Sequence, residues 1–380
     1  MTRPRLLIIS FSTIASDARV LKQVRRLSAD TEVHTLGYGP APAGVSSHVR
    51  VPDELPIWRY DRAAVILRRY HSAYWSNAAI AFATDALRGT RWDAVLANDV
   101  DAVGLALAQD SVHGVHADLH EYAPRQKEDV PRWRLFIAPF VRWMCREFVT
   151  EADSVTTLGQ GIADEYRREY GFRADVVTNA TPFHALEPGA VSRPIRLVHS
   201  GAGLRDRNLM LMAKAVAEAE TDVTLDFLLT ANDPEYIDEL RRFAQSTNRV
   251  RVLDPVPYDR LISTLNSYDV GVFLLPPVNF NYRWTLPNKF FDYVQARLGV
   301  VIGPSPEMVR VLGEHSFGAV TDGFGADDLV RTLSGLTPAG VEEWKQAADA
   351  AASALSGERQ TEIWAAAIQR LLTSPAKASA

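Results

Sequence analysis

The stretch IRLVHSGAGLRDRNLMLMAKAV, residues 195–216, passes from a run of apolar and β-branched residues through Gly201 and Gly203 into a segment with helical periodicity. Glycine lets a backbone come close to a phosphate, and the first turn of a helix offers free N–H groups and partial positive charge. Arg205 and Arg207 stand at the entrance to that helix. The same strand–glycine–helix turn also serves α/β proteins for packing alone, so an anion site and a structural turn both fit these residues.

Outward from this segment the pattern repeats. Apolar runs at Leu6–Ser10, Glu32–Leu36, Ala94–Ala97, Val115–Leu119, Ser154–Thr157 and Asp175–Thr178 alternate with helical periods. The later half continues with Val223–Leu229, Val250–Leu253, Val270–Leu275, Val300–Ile302 and Ala319–Thr321. This βαβα order predicts parallel sheets with helices on both faces. Between Ala180 and Pro194 prolines and a glycine break the periodicity, which marks a linker. The chain therefore divides into an N-terminal Rossmann-like domain, residues 1–182, and a C-terminal one, residues 192–357. Beyond Pro338 the spacing of Trp344, Ala348, Ala351 and Leu355, then Ile363, Ala367 and Leu371, predicts helix almost to the end. Its last part, about 358–373, is expected to cross back to the first domain.

With 380 residues, 47% hydrophobic and 23% charged, the chain is long enough for two cores. A net charge of −5 gives no global electrostatic footprint for nucleic acid. The single cysteine, Cys145, allows neither an internal disulfide nor a CxxC metal site, which fits a reducing cytoplasm. Leu6–Ile9 is too short for a signal-peptide core and reads as a strand. No apolar run approaches the roughly 20 residues of a membrane-spanning helix. The expectation is a cytoplasmic protein whose membrane contact, if any, is peripheral and on the inner face.

Open parallel sheets bind ligands beyond the carboxyl ends of their strands. That rule selects Phe11–Asp17, Asn98–Asp101, His120–Glu121, Gly201–Arg207, Val256–Pro257 and residues 285–292. In WTLPNKFFDYVQARLGVVIG, residues 284–303, Pro287 is expected in the first turn of a helix. Lys289 is badly placed for the helix dipole there, so it either points to solvent or is held by an anion. Asp292, about a turn deeper, is spaced to accept from neutral hydroxyls, or it is a solvated helix-face carboxylate. Asp17 either faces a ligand at the strand end or caps a helix beside a solvated Arg19. His116, Asp118 and His120 share one strand face, yet no metal is assigned to them.

These segments together resemble the retaining glycosyltransferases of family 4, which have the GT-B fold. SDARVLKQVRRLSADTEVHTL (16–36) is similar to the family's opening strand–loop–helix–strand. VLANDVDAVGLALA (95–108) and HADLHEYAP (116–124) resemble a motif pair of one bacterial subgroup. VTTLGQGIADEYRREYG (155–171) and VVTNATPF (176–183) resemble its hinge approach, and NRVRVLDPVPYDRLISTLNSYDVGVFLLP (248–276) with LPNKFFDYVQARLGVVIG (286–303) its donor domain. The resemblance implies two Rossmann-like α/β domains facing each other across a cleft. It implies that Gly201, Gly203 and Arg207 line a donor diphosphate, with Pro287, Asn288 and Lys289 beside it. Val256 would meet the nucleotide base and Asp292 the ribose. His120 would act at the sugar or the acceptor hydroxyl, with Glu121 orienting it or binding acceptor, and Asp99 and Asp17 on the acceptor side. Two departures stand out: the second acid of the family's E-x7-E pattern is Asp292, and Trp284 replaces the first glutamate. Asp99-Val100-Asp101 spells a D-x-D sequence, read here as helix capping with acceptor contact.

The function expected from the resemblance is metal-free transfer, with retention, of a sugar from a nucleoside-diphosphate sugar to a glycan, lipid-linked or small-molecule acceptor. The nucleotide sugar is a co-substrate and no other cofactor is called for. A GT-B-fold sugar-nucleotide epimerase and a catalytically silent partner protein are the alternatives. Residues 57–75, IWRYDRAAVILRRYHSAYW, and 131–148, PRWRLFIAPFVRWMCREF, interleave arginines with aromatics. Such helices either lie on anionic membranes or bury their aromatics and solvate their arginines.

Overall fold

Leu6, Leu7, Ile8 and Ile9 are each at most 1% exposed. The strand they form, β1 (Arg5–Thr13), is therefore apolar on both faces, as a central parallel strand covered by helices must be. In the computed structural model, which describes residues 3–376, the chain divides into two units. The first holds Met1–Thr178, Asn279–Asn281 and Thr361–Ala380; the second holds Asn179–Val278 and Tyr282–Gln360.

Around β1 the first unit assembles β2 (Glu32–Tyr38), β3 (Ser47–Arg50), β4 (Ala94–Asn98), β5 (Val115–Leu119), β6 (Ser154–Thr157) and β7 (Asp175–Val176). They form one seven-stranded sheet in the order β3-β2-β1-β4-β5-β6-β7, and every pairing is parallel. Arg91–Trp92 and Asp110–Ser111 make a separate two-stranded pair.

The second unit repeats the design with β8 (Ile195–Ala202), β9 (Val223–Thr230), β10 (Val250–Leu253), β11 (Val270–Phe273), β12 (Gly299–Ile302) and β13 (Gly318–Val320). Its six strands run β10-β9-β8-β11-β12-β13, again all parallel. Alternate residues feed opposite cores: Leu197, Phe227 and Val301 pack on one face, Val198, Leu228 and Ile302 on the other. That is the two-residue period of a strand made visible. The expected pair of parallel α/β domains is what the chain forms.

In both sheets the first strand ends up inside, and the strand order reverses beside it. A reversal leaves a crevice at the carboxyl ends of the two strands that flank it. Those ends are β1 and β4 in the first unit, and β8 and β11 in the second.

Three local expectations change. The tail is not one helix: Pro338–Ala352 and Gly357–Thr373 are separate. Gly357 lies against the linker, its N–H donating to Thr181 O at 2.8 Å, and a Cβ there would stand 2.9 Å from Ala180 O. From Thr361 the second of these helices belongs to the first unit, and Ala365, Ile368 and Leu371 join the core of Leu6, Ile8 and Leu96. Pro287 precedes the helix Asn288–Gln295 as its N-cap instead of opening its first turn. The arginine–aromatic stretches are also interrupted, giving Arg62–Ile66 and Tyr70–Trp75 in one, and a π-turn Trp133–Ile137 leading into Ala138–Glu147 in the other.

Candidate active site

In the second unit a cavity of about 340 Å³ opens at the end of β8, lined by Ser200, Gly201, Thr230, Val256, Asn288, Lys289 and Asp292 among others. Segments that lie far apart in sequence supply it. The helix Asn288–Gln295 delivers Lys289 in its first turn and Asp292 one turn on.

Lys289 decides the electrostatics. Its Nζ lies 3.3 Å from His199 Nε2 and 4.8 Å from the centre of the Phe273 ring. Fully buried His199 donates from Nδ1 to Val272 O at 2.9 Å, which leaves Nε2 as an acceptor facing the lysine. Burial, then Lys289, then Arg207 hold His199 well below the ordinary histidine range, so it stays neutral. Burial, then the neighbouring Arg207, push Lys289 down to about 7.

The contrast with Lys345 is instructive. That buried lysine has Tyr268 O at 2.8 Å and the Asp269 carboxylate at 3.4 Å. Among the described residues no carboxylate lies within ion-pair distance of Lys289. Asp292, beyond ion-pair distance, favours the charged lysine but does not outweigh burial and Arg207; a cation so poorly compensated suits a site whose counter-ion arrives as ligand.

Gly201 makes the approach possible. Its φ of 127° is a conformation that side chains rarely adopt, and a Cβ would come 2.9 Å from Lys289 Nζ. Gly203 serves packing instead: a Cβ there would meet Ile237 Cδ1 at 2.7 Å, and Gly203 is not part of the cavity wall. Nor does the glycine segment enter the helix directly. Arg205–Arg207 form a 3-10 turn of their own before Leu209–Glu218. Arg205 is taken up by Glu239 at 2.8 and 2.6 Å. Arg207 sits over the Tyr282 ring at 5.2 Å, its Nε 3.6 Å from Asp206 Oδ1.

Asp292 is only 4% exposed, so it is no solvated helix-face carboxylate. Its Oδ1 accepts from Thr181 Oγ1 at 2.5 Å. Val256 lines the wall beside Pro255 and Tyr258, and the Tyr258 ring is 60% exposed. Trp284, in place of the family's glutamate, carries Arg283 over its ring at 5.6 Å.

The first unit gathers a different set at the ends of β4 and β5. His120 follows β5, with Nδ1 3.2 Å from Asp99 Oδ2 and Nε2 3.1 Å from Asn98 Oδ1. Burial opposes its charge, but Asp99 and then Asp118 outweigh that, and the imidazole pKa is raised. Asp99, not Glu121, orients this ring. Glu121 Oε2 accepts from Asn281 Nδ2 at 3.2 Å, and burial followed by the charge of Asp99 raises its pKa.

Asp99 itself does not cap the following helix with its side chain; its backbone takes φ 65° and ψ 163°. That region is normally left to glycine and costs about 1–3 kcal/mol. The carboxylate so placed accepts from His120 N at 3.0 Å. Asp101 diverges from it, accepting from Tyr60 OH at 2.5 Å, and burial lifts its pKa to about 6. The two acids of the D-x-D sequence thus serve separate partners.

Asp17 caps the helix Ala18–Leu27 through Arg19 N at 3.0 Å and Val20 N at 3.2 Å. Arg19 is not solvated. It is 5% exposed and grips Asp118 through Nε at 2.7 Å and Nη2 at 2.6 Å. Gln23, Thr156 and Trp364 converge on the same carboxylate. Burial works against the ionised form, but Arg19 and His120 hold Asp118 far below the usual carboxylate range. His116 bonds Ser154 Oγ at 2.7 Å and Thr156 Oγ1 at 3.0 Å, and burial lowers it to about 4.

His199 and Tyr258 escaped the sequence reading. His199 reads there as one more residue inside a strand, although it directly precedes Ser200 and Gly201.

Comparison with protein-family models and with curated protein sequences returns no match. Solved structures do match. Sucrose-phosphate synthase from Thermosynechococcus elongatus aligns with a TM-score of 0.69 at 12% identity, over 97% of this chain and 99% of that one. HepE from Anabaena, in complex with UDP and glucose, gives 0.68 at 12% identity over 97% and 100%. WaaG, a glycosyltransferase involved in lipopolysaccharide biosynthesis, gives 0.62 at 12% identity over 96% and 99%. The chain has the fold of the GT-B glycosyltransferases, two parallel-sheet α/β domains in one chain.

Proposed function

We propose that this protein is a glycosyltransferase of the family 4 type that binds a nucleoside-diphosphate sugar at the end of β8 and transfers the sugar to an acceptor hydroxyl with retention. The observation that carries the reading is Lys289 in the wall of a cavity shared with Gly201, with the charge of Arg207, itself outside that wall, acting on it and with no carboxylate within ion-pair distance of Lys289 among the described residues. A diphosphate supplies the missing negative charge. Asp292, on the same wall, is the acceptor for ribose hydroxyls, and the exposed Tyr258 ring beside Val256 suits a nucleobase. The presence of UDP and glucose in HepE, which shares the fold, supports a donor of this class.

In this reading catalysis is chiefly electrostatic. Lys289 and Arg207 stabilise the charge that grows on the leaving diphosphate, and preorganised charge of this kind usually supplies more of an enzyme's rate enhancement than any other single effect. No metal is assigned to the step. His120, held by Asp99, handles the hydroxyl proton or the sugar in the first unit, with Glu121 on the acceptor side.

The test is thermal unfolding in UDP, GDP, ADP and dTDP, with the native chain and with Arg207→Ala and Asp292→Ala. A ligand that binds only the folded state at a hundredfold excess over its Kd adds about 2.7 kcal/mol. A shift selective for one base and lost in both variants supports the donor site. No shift with any nucleotide overturns it, and turnover of donor sugar without acceptor points to an epimerase.

A further inference from the structure

The first unit carries an apolar surface that neither the donor cavity nor the His120 cluster uses. Leu135, Phe136 and Ile137 of the π-turn stand exposed, as do Ile66 and Leu67 at the end of Arg62–Ile66. The two segments pack against each other. Their inner sides are fixed by aromatic contacts: Tyr60 lies 4.8 Å and Tyr70 5.5 Å from the Phe140 ring centre. The outward aliphatic and aromatic groups are therefore held out by a rigid underside. Single exposed apolar residues are ordinary, but several on adjoining segments mark an interaction surface.

Charge identifies what meets it. Between Asp129 and Glu147 the chain carries Arg132, Arg134, Arg142 and Arg146 and no acid, and from Arg62 to His71 it carries Arg62, Arg68 and Arg69 and no acid. All seven arginines are exposed. Among the described residues none of them makes an ion pair with a carboxylate, although the protein as a whole is acidic. Asp61, which immediately precedes Arg62, is spent on capping that helix. Exposed apolar side chains on the same segments as exposed arginines without carboxylate partners match an anionic lipid surface, where the apolar groups enter the headgroup boundary and the guanidinium groups meet phosphates.

We propose that this face, built on Arg62–Arg69 and Val130–Arg142, docks the protein on anionic lipid bilayers. The inference does not depend on the donor-site reading.

The experiment is co-sedimentation of the full chain with vesicles of phosphatidylcholine alone and with 30% phosphatidylglycerol, at low and high salt. Binding is expected to the anionic vesicles and to weaken as salt screens the charges. Each arginine near such a surface is worth roughly fivefold in partition, so Arg132→Gln, Arg134→Gln and Arg142→Gln together are expected to reduce binding on the order of a hundredfold. Leu67→Ser with Leu135→Ser removes much of the apolar part and is expected to weaken binding while preserving the urea midpoint, since the two residues are 63% and 65% exposed. Failure of the native chain to bind anionic vesicles overturns the proposal, as does binding that both variants retain. Self-association in sedimentation velocity that is lost in the serine variant, without vesicle binding, assigns the face to a second copy instead.

Discussion

Lys289 Nζ and His199 Nε2 lie 3.3 Å apart, and the imidazole cannot offer a proton there because its own N–H is committed to Val272 O. A neutral acceptor thus stands where an ion pair would demand a carboxylate. With its folded pKa lowered from 10.5 to about 7, Lys289 is half-charged at neutral pH. A diphosphate favours the charged form, so nucleotide binding takes up a proton between the two values, and affinity falls as pH rises above about 7. Calorimetric titration at pH 8 in buffers of different ionisation enthalpy measures that uptake, and Lys289→Met is expected to abolish it.

The same shift fixes a stability effect. A lysine whose folded pKa is depressed disfavours folding below that pKa, and the penalty fades as pH rises toward the unfolded value. Lys289→Met is therefore expected to raise the Tm of the ligand-free protein near pH 6, by an amount that shrinks toward pH 10, while removing the shift produced by nucleotide. Each pKa unit corresponds to about 1.4 kcal/mol, so a gain of a few kcal/mol is the scale. Unchanged stability across that range would show the site to be unstrained.

Gly201→Ala places a methyl group 2.9 Å from Lys289 Nζ on a backbone with φ 127°. The expected result is a loss of about 1–3 kcal/mol in urea unfolding from the backbone alone. Displacement of the ammonium adds at least a tenfold rise in nucleotide Kd. Gly203→Ala, blocked by Ile237, is expected to lower stability with a smaller effect on Kd.

His120 responds to pH in the opposite sense. Its folded pKa is raised above the ordinary 6.5, so its interaction with Asp99 and Asp118 adds stability that is complete below 6.5 and is lost as pH rises through the folded value. Asp99→Asn keeps the backbone conformation and removes one charge. The expectation is a lower His120 pKa in a proton NMR titration and a flatter stability profile above pH 6.5.

Asp118→Ala leaves the buried Arg19 guanidinium without the carboxylate that two of its nitrogens grip. Breaking a buried pair in this way costs about 3–5 kcal/mol. The variant is expected to lose that much in urea unfolding at pH 7. Simultaneous Arg19→Met should recover part of it.

The residues themselves announced the strands. Leu6–Ser10, Val115–Leu119 and Ile195–Ser200 each show a short, apolar, β-branched run between helical periods, and local pattern suffices for that. Ser47–Arg50 was invisible because an edge strand need not be apolar, and only its pairing with β2 makes it one. Gly201 and Lys289 were visible as candidates for an anion site because each breaks a local rule, one of side-chain size and one of helix charge.

What the sequence alone determined is thus the alternation of elements, the parallel sheets they must form, and the strand ends where chemistry would lie. Only the tertiary structure decided which groups meet there. His199 and Lys289 are 90 positions apart, Arg19 and Asp118 are 99 apart, and Asp292 finds Thr181 across 111. Periodicity reports on neighbours within a turn or a pleat, whereas the charge, burial and hydrogen bonding of a site are set by residues that only the folded sheet brings within three ångströms or so.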